Sequence, residues 1–224
     1  MVVLLIFVAL AIFVLPNLWA KWVLKRHRRG RDDYPGSGAE LAEHLLRRLG
    51  LEGVKVERTE SGDHYDPEAR CVRLSAEHYD GRSLTAVTVA AHEVGHAIQH
   101  HQGYAPLLAR SRMIGVAQKA EKLGAILMMA APFLFLLTRL PGGLAMVIAI
   151  AVISFGTATL VHLITLPVEF DASFNRALPL LKEYVPPYDM PGARHVLTAC
   201  AFTYVAASLA SVLNLGRWLV ILRR

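Results

Sequence analysis

One stretch, TAVTVAAHEVGHAIQHH at residues 85–101, constrains the fold more than any other. It holds no proline, its only glycine is Gly95, and Thr85, Ala86, Val89 and Ala90 carry an apolar helical pattern, so a helix is predicted. Within it His92-Glu93-Val94-Gly95-His96 fits H-E-x-x-H. Residues four apart share one helix face, so His92 and His96 can grip one metal ion. Imidazole pairs suit Zn²⁺, and Glu93 beside them could take a proton from water that the metal holds. The competing explanation is a buried helix with two hydrogen-bonded core histidines. A charged Glu in so apolar a helix is costly without a function, which favours the metal.

The segments before this helix look soluble. Ser37 with Glu40 three residues later forms a capping-box pattern ahead of Leu41, Leu45, Leu46 and Leu49. Val54–Glu57 and Cys71–Leu74 alternate like strands, with Asp63–Pro67 as a turn between them. Together these predict a small α+β unit, and the resemblance of the motif helix to that of zincins makes Val72–Leu74 the candidate for the strand that borders the cleft and pairs with an extended peptide. Gln102–Pro106 stops the motif helix, and residues 107–122 fit an amphipathic helix.

The rest of the chain is strongly apolar. Hydrophobic residues make up 54% and mean hydropathy is +0.38, values that suggest membrane spans. Residues 2–20, 123–138 and 196–216 are uncharged, and 140–168 lack Asp, Glu, Lys and Arg. The first run is followed by Lys21, Lys25, Arg26, Arg28, Arg29 and Arg31, a basic edge suited to anionic headgroups and to a cytoplasmic placement. The net charge of +6 therefore points to a bilayer and not to nucleic acid. No basic segment precedes the first run and no cleavage-type site follows it, so it reads as an anchor. A channel or transporter is disfavoured, because the runs hold almost no ionisable residues. Cys71 and Cys200 are far apart and form no CxxC, so no disulfide framework is implied.

Two histidines do not complete a catalytic zinc site, which takes three protein ligands. The longer H-E-x-x-H-x-x-G-x-x-H pattern fails, since Gln99 and Gln102 stand at its last two defined positions. The third ligand is therefore sought in a later carboxylate. Glu169, in Leu166-Pro167-Val168-Glu169-Phe170-Asp171, is the candidate, with Asp171 as fallback or as an outer partner to a histidine. His100 is the rival, but three histidines spaced four apart on a straight helix diverge too far to meet one ion. His64, Tyr65, Tyr79, Arg176 and His195 could each supply an oxyanion donor, and the sequence does not choose among them.

The blocks Gly62–Pro67, Val72–Ser75, Ala90–Gln99 and Leu166–Ser173 together resemble the YugP-like neutral zinc metallopeptidases of bacterial membranes (membrane zinc peptidase family 2), with distant similarity to HtpX-like zincins. The resemblance covers nearly the whole chain. It implies a zinc-dependent endopeptidase with one Zn²⁺ per chain held by His92, His96 and Glu169, with Glu93 as catalytic acid/base. The HtpX-like pattern E-x-x-x-D is broken here, because Ser173 stands four residues after Glu169.

The resulting expectation is a mainly α membrane protein, with transmembrane helices and a small α+β zincin-like catalytic domain. Its parts are a transmembrane helix at 1–24, a cytoplasmic catalytic domain at 25–122, a transmembrane hairpin at 123–168, a cytoplasmic segment at 169–194 carrying the third ligand, and a transmembrane or re-entrant helix at 195–224. It would be a multi-pass protein of the bacterial cell membrane with the site facing the cytoplasm, cleaving peptide bonds of membrane or membrane-adjacent proteins. The alternative is a non-enzymatic membrane scaffold, or a chaperone partner, with a structural metal.

Overall fold

The computed structural model describes residues 15–31, 33–138 and 163–203, together with residues 149, 153, 160 and 161. The described chain is mostly helical with one small sheet. Helix α1 covers residues 15–26 and α2 covers Gly38–Arg48. Strands β1 (Lys55–Thr59), β2 (His64–Asp66) and β3 (Cys71–Ser75) follow, then α3 (Ala76–Asp80), α4 (Leu84–His101) and α5 (Ala105–Thr138). Helix α6 covers residues 163–181 and is π-helical over Asp171–Ala177. Helix α7 covers residues 190–203.

Helix α4, which carries the motif, lies at the centre and is buried on nearly every side. That explains its composition, because a helix covered all round needs small or apolar side chains throughout. Ser83 caps its start by accepting from the Ala86 N–H at 3.2 Å. Helix α2 packs on one flank, with the capping box formed: Ser37 N–H donates to Glu40 Oε2 at 2.7 Å and Glu40 N–H to Ser37 Oγ at 3.3 Å. Helix α6 packs on the other flank, so close that a Cβ at Gly95 would lie 2.7 Å from the Ala172 carbonyl oxygen. Helix α1 is tied to the start of α4 where Thr85 Oγ1 donates to the Leu24 carbonyl at 2.9 Å. One hydrophobic core joins these pieces, from Ala20 and Val23 on α1 to Val196, Leu197 and Ala199 on α7.

The sheet order is β1-β3-β2, with β1 parallel and β2 antiparallel to β3. Val72 and Leu74 of β3 point into the core, while Arg73 faces outward to Asp66 at 2.5 Å. Two expectations change here. Residues expected as a turn include β2, whose three residues are too few to show a period of two in the sequence. Strand β3 is central, so its hydrogen bonds are taken on both edges and Val72–Leu74 cannot pair with a peptide; β1 and β2 are the edges, and β2 lines the cleft.

The expected transmembrane architecture is also corrected. Among the described residues, no helix is long and apolar enough to cross a membrane. Helix α5 shows the reason. Its first half carries Arg110, Arg112, Lys119, Glu121 and Lys122, and its uncharged remainder, residues 123–138, has sixteen residues. At about 1.5 Å each these reach about 24 Å, short of a hydrocarbon core of about 30 Å. Helix α1 includes Lys21, Lys25 and Arg26, and α6 turns to Glu169 and Asp171. Residues 2–14, most of 139–159 and residues 204–216 of the uncharged runs lie outside the described residues.

Candidate metal centre

Helix α4 points His92 and His96 across to α6, where Glu169 precedes the π-helical turn and is 0% exposed. The three side chains form the described residues' single His/Cys/Asp/Glu cluster able to hold a metal ion. Glu169 Oε2 lies 3.3 Å from His92 Nε2 and 3.4 Å from His96 Nε2. It is nonetheless a buried oxygen with no hydrogen-bond partner. An unsatisfied buried carboxylate oxygen is costly, and a cation between the three atoms would satisfy it. The spacing agrees. Bonds of about 2.0–2.1 Å around a tetrahedral zinc set ligand atoms about 3.3–3.4 Å apart.

The outer nitrogens of the histidines fix which inner nitrogen is free. His96 Nδ1 donates to Gln99 Oε1 at 2.9 Å. The Gln99 amide is itself locked, because its Nε2 donates to the Val168 carbonyl and to Asp171 Oδ2, both at 2.8 Å. Ser173 Oγ donates to the Leu197 carbonyl at 3.4 Å, so it accepts from His92 Nδ1 at 3.1 Å. Both Nε2 atoms therefore present lone pairs toward Glu169, as metal-binding imidazoles do. On the far side of Glu169, Oε1 accepts from Arg110 Nη1 at 3.1 Å.

Electrostatics follow from burial and from these pairs. Burial works to raise the Glu169 carboxyl, but the two imidazoles set against it, His96 foremost, outweigh this and hold the group well below the ordinary carboxylate range. For His96, burial works downward and the charge of Glu169 reverses it, leaving the imidazole raised. Glu93 is different. Burial pushes its carboxyl up, Glu169 and Asp63 add to this, and the two histidines offset only part. Two neighbouring carboxylates thus acquire opposite characters, one held ionised and one more ready to carry a proton.

A profile described as "Putative neutral zinc metallopeptidase" matches residues 2–223. The chain belongs to this family. It is also 39% identical over 212 residues to the "Putative membrane protease YugP" of Bacillus subtilis (strain 168), covering 92% of this chain and 91% of that protein. No solved structure matches. Membership in a zinc peptidase family identifies zinc as the cofactor, and the buried His-His-Glu cluster suits one ion.

The other sequence candidates are dispersed within this zinc metallopeptidase fold. Asp171 stays outside the cluster and reaches His96 only through Gln99. Arg176 is held by Asp171 at 2.7 Å and by Gln102 at 2.5 Å, away from the cleft. His195 is exposed on α7 and is absent from the cleft lining, as is Tyr79. His64 and Tyr65 line the cleft, but His64 Nδ1 is engaged by the Gly62 carbonyl and the Tyr65 hydroxyl by His100 Nδ1, each at 2.8 Å. That bond also occupies His100, the rival ligand. Sequence reasoning missed Gln99, Ser173, Arg110 and His78. Two of these had a local signal: Gln99 is three residues after His96 and Ser173 four after Glu169, the spacings that share a helix face. Arg110 and His78 come from other elements and carried none.

Proposed function

We propose that the chain is a membrane-associated zinc metalloendopeptidase in which His92, His96 and Glu169 hold the ion and Glu93 is the general base and acid. The observation that carries this is the unsatisfied Glu169 Oε2, placed between two imidazole nitrogens and beside a carboxyl whose affinity for protons is raised. When bound, zinc supplies a Lewis acid and brings the pKa of water toward about 7. Glu93 accepts the proton of the attacking water and returns it to the leaving amine. Gln99 and Ser173 keep the imidazoles aimed, and Arg110 holds the outer oxygen of Glu169. The cleft has a volume of about 770 Å³ and runs from the β2 edge to Leu107, Leu108 and Ile114 of α5, so an extended peptide has a polar wall and an apolar wall to lie between.

Membrane association is supported by the relative's name and by α1, where Trp19 and Trp22 are 37% and 55% exposed beside Lys21, Lys25 and Arg26. That combination suits the anionic headgroups of a cytoplasmic leaflet.

The test is zinc content and cleavage of dye-quenched casein by wild type, Glu93→Gln and Glu169→Ala. Glu93→Gln should keep its zinc and lose cleavage, and Glu169→Ala should lose the zinc. Cleavage by Glu93→Gln at the wild-type rate defeats the mechanism, and absence of cleavage by zinc-loaded wild type favours a scaffold.

A further inference from the structure

The cleft holds a second built feature outside the motif helix. His78 of α3 lines the same cavity as His92, Glu93 and His96. Its Nδ1 lies 2.8 Å from Asp63 Oδ2. Asp63 is itself immobilised, because its other oxygen accepts from the Ser75 N–H at 2.7 Å and from Ser75 Oγ at 3.0 Å. The His78 and Asp63 side chains are only 12% and 20% exposed, so the pair is partly desolvated and fixed in orientation. With Nδ1 engaged by a carboxylate, Nε2 is the nitrogen left to act, and it has no hydrogen-bond partner among the described residues. Elsewhere in the cleft the Tyr65 hydroxyl meets His100 and Arg110 meets Glu169, while His64, whose Nε2 is likewise without a partner among the described residues, is braced at Nδ1 by the Gly62 carbonyl and not by a carboxylate. A surface histidine with no role would need neither a buried carboxylate nor a serine to brace that carboxylate.

We infer that His78 is a catalytic residue of this cleft, donating as an imidazolium from Nε2 to the scissile carbonyl oxygen as negative charge develops on it, and that Asp63 is the positioning residue that orients it and balances its charge. The inference rests on the peptidase reading above and extends it to a donor outside the motif. In the addition step the water oxygen bonds to the carbonyl carbon and the C=O π pair moves onto oxygen. The water proton passes to Glu93, and the His78 hydrogen bond shortens onto that oxygen. In the collapse step the pair returns, the C–N bond breaks and the amine takes the proton from Glu93.

The test uses the zinc-loaded full chain and the variants His78→Ala, His78→Gln and Asp63→Asn. Turnover is read on a quenched fluorescent peptide taken from a casein cleavage site, and a phosphoramidate peptide serves as a tetrahedral mimic in calorimetry. His78→Ala should keep one zinc per chain and lose about 10²–10³-fold in kcat, with KM within about threefold. Phosphoramidate affinity should fall at least about tenfold. His78→Gln should recover part of both losses, and Asp63→Asn should lower kcat with zinc retained. Turnover by His78→Ala within about threefold of wild type, equal phosphoramidate affinity, or loss of zinc from both His78 variants overturns the assignment. If zinc-loaded wild type does not cleave the peptide, the peptidase reading fails instead. The calorimetry still decides whether His78 donates, because it needs no turnover.

Discussion

Replacing Gly95 by alanine should damage the protein in two separable ways. The added methyl would lie 2.7 Å from the Ala172 carbonyl oxygen and 3.3 Å from its carbon. Both are backbone atoms inside a helix, so neither can rotate away. Overpacking of this kind costs about 1–3 kcal/mol, with the upper half apt for a backbone obstacle. Alanine returns about 1 kcal/mol of helix propensity, leaving a net loss of about 1–2 kcal/mol. To recover an ordinary 3.4 Å contact, α6 must withdraw by about 0.7 Å, the difference between 3.4 and 2.7 Å. Ala172 adjoins Ser173 and lies three residues from Glu169, and metal–ligand distances tolerate only about 0.2 Å. Zinc affinity should therefore fall at least about tenfold, adding about 1.4 kcal/mol when zinc is present. Urea unfolding with zinc and with chelator separates the parts: a deficit of about 1–2 kcal/mol without metal and a larger one with it. Gly115→Ala on α5 is the control, since a Cβ there meets nothing within 4 Å. A Gly95→Ala protein with wild-type zinc affinity and a stability within about 0.5 kcal/mol of wild type would refute the close-packing account.

Further outcomes follow from other contacts. Gln99→Leu breaks the link from His96 to Asp171 and should lower zinc affinity about 10–100-fold by competition with a chromophoric chelator, with the helix content unchanged by circular dichroism. Ser37→Ala removes the cap of α2 and should cost about 1 kcal/mol in urea unfolding, whether or not zinc is present. The carboxyl of Asp63 is pushed up by burial, but the hydrogen bond and charge of His78 and the bonds from Ser75 more than reverse this, so its folded pKa is depressed. A depressed aspartate stabilises the fold above its ordinary pKa of about 3.9, and the contribution is lost as pH falls through the folded value. Asp63→Asn should therefore be less stable than wild type at neutral pH, with the gap closing below about pH 4 in acid denaturation monitored by tryptophan fluorescence.

Parts of the site were legible without coordinates because they are local. His92, Glu93 and His96 depend only on helical spacing, and the Ser37–Glu40 cap depends on four consecutive residues. Glu169 was a candidate because the longer histidine pattern fails, because it follows an uncharged run, and because the family resemblance favoured it; its meeting with His92 and His96 is a tertiary fact. The brace around the site was not legible. Gln99 looked like a failed glycine, and its function emerges only when Val168 and Asp171 arrive from a helix some seventy residues away. Ser173 looked like a broken motif, yet it accepts from His92 Nδ1. Uncharged runs were read as membrane spans from hydropathy alone, but hydropathy does not separate a helix end facing lipid from one packed into a core, and α1, α6 and α7 all contribute to one core.

The sequence alone determined that a buried, small-residue helix would present two histidines and a glutamate on adjoining faces, because helical periodicity is a property of neighbouring residues. Only the tertiary structure decided how α4 and α6 approach at Gly95, which leaves Glu169 Oε2 unsatisfied between two nitrogens. It also decided that β2 is the sheet edge lining the cleft and that Asp63 is bonded to His78 within that cleft. These features join residues far apart in the chain, and the core that holds them together is formed jointly by α1, α2, β3, α4, α6 and α7.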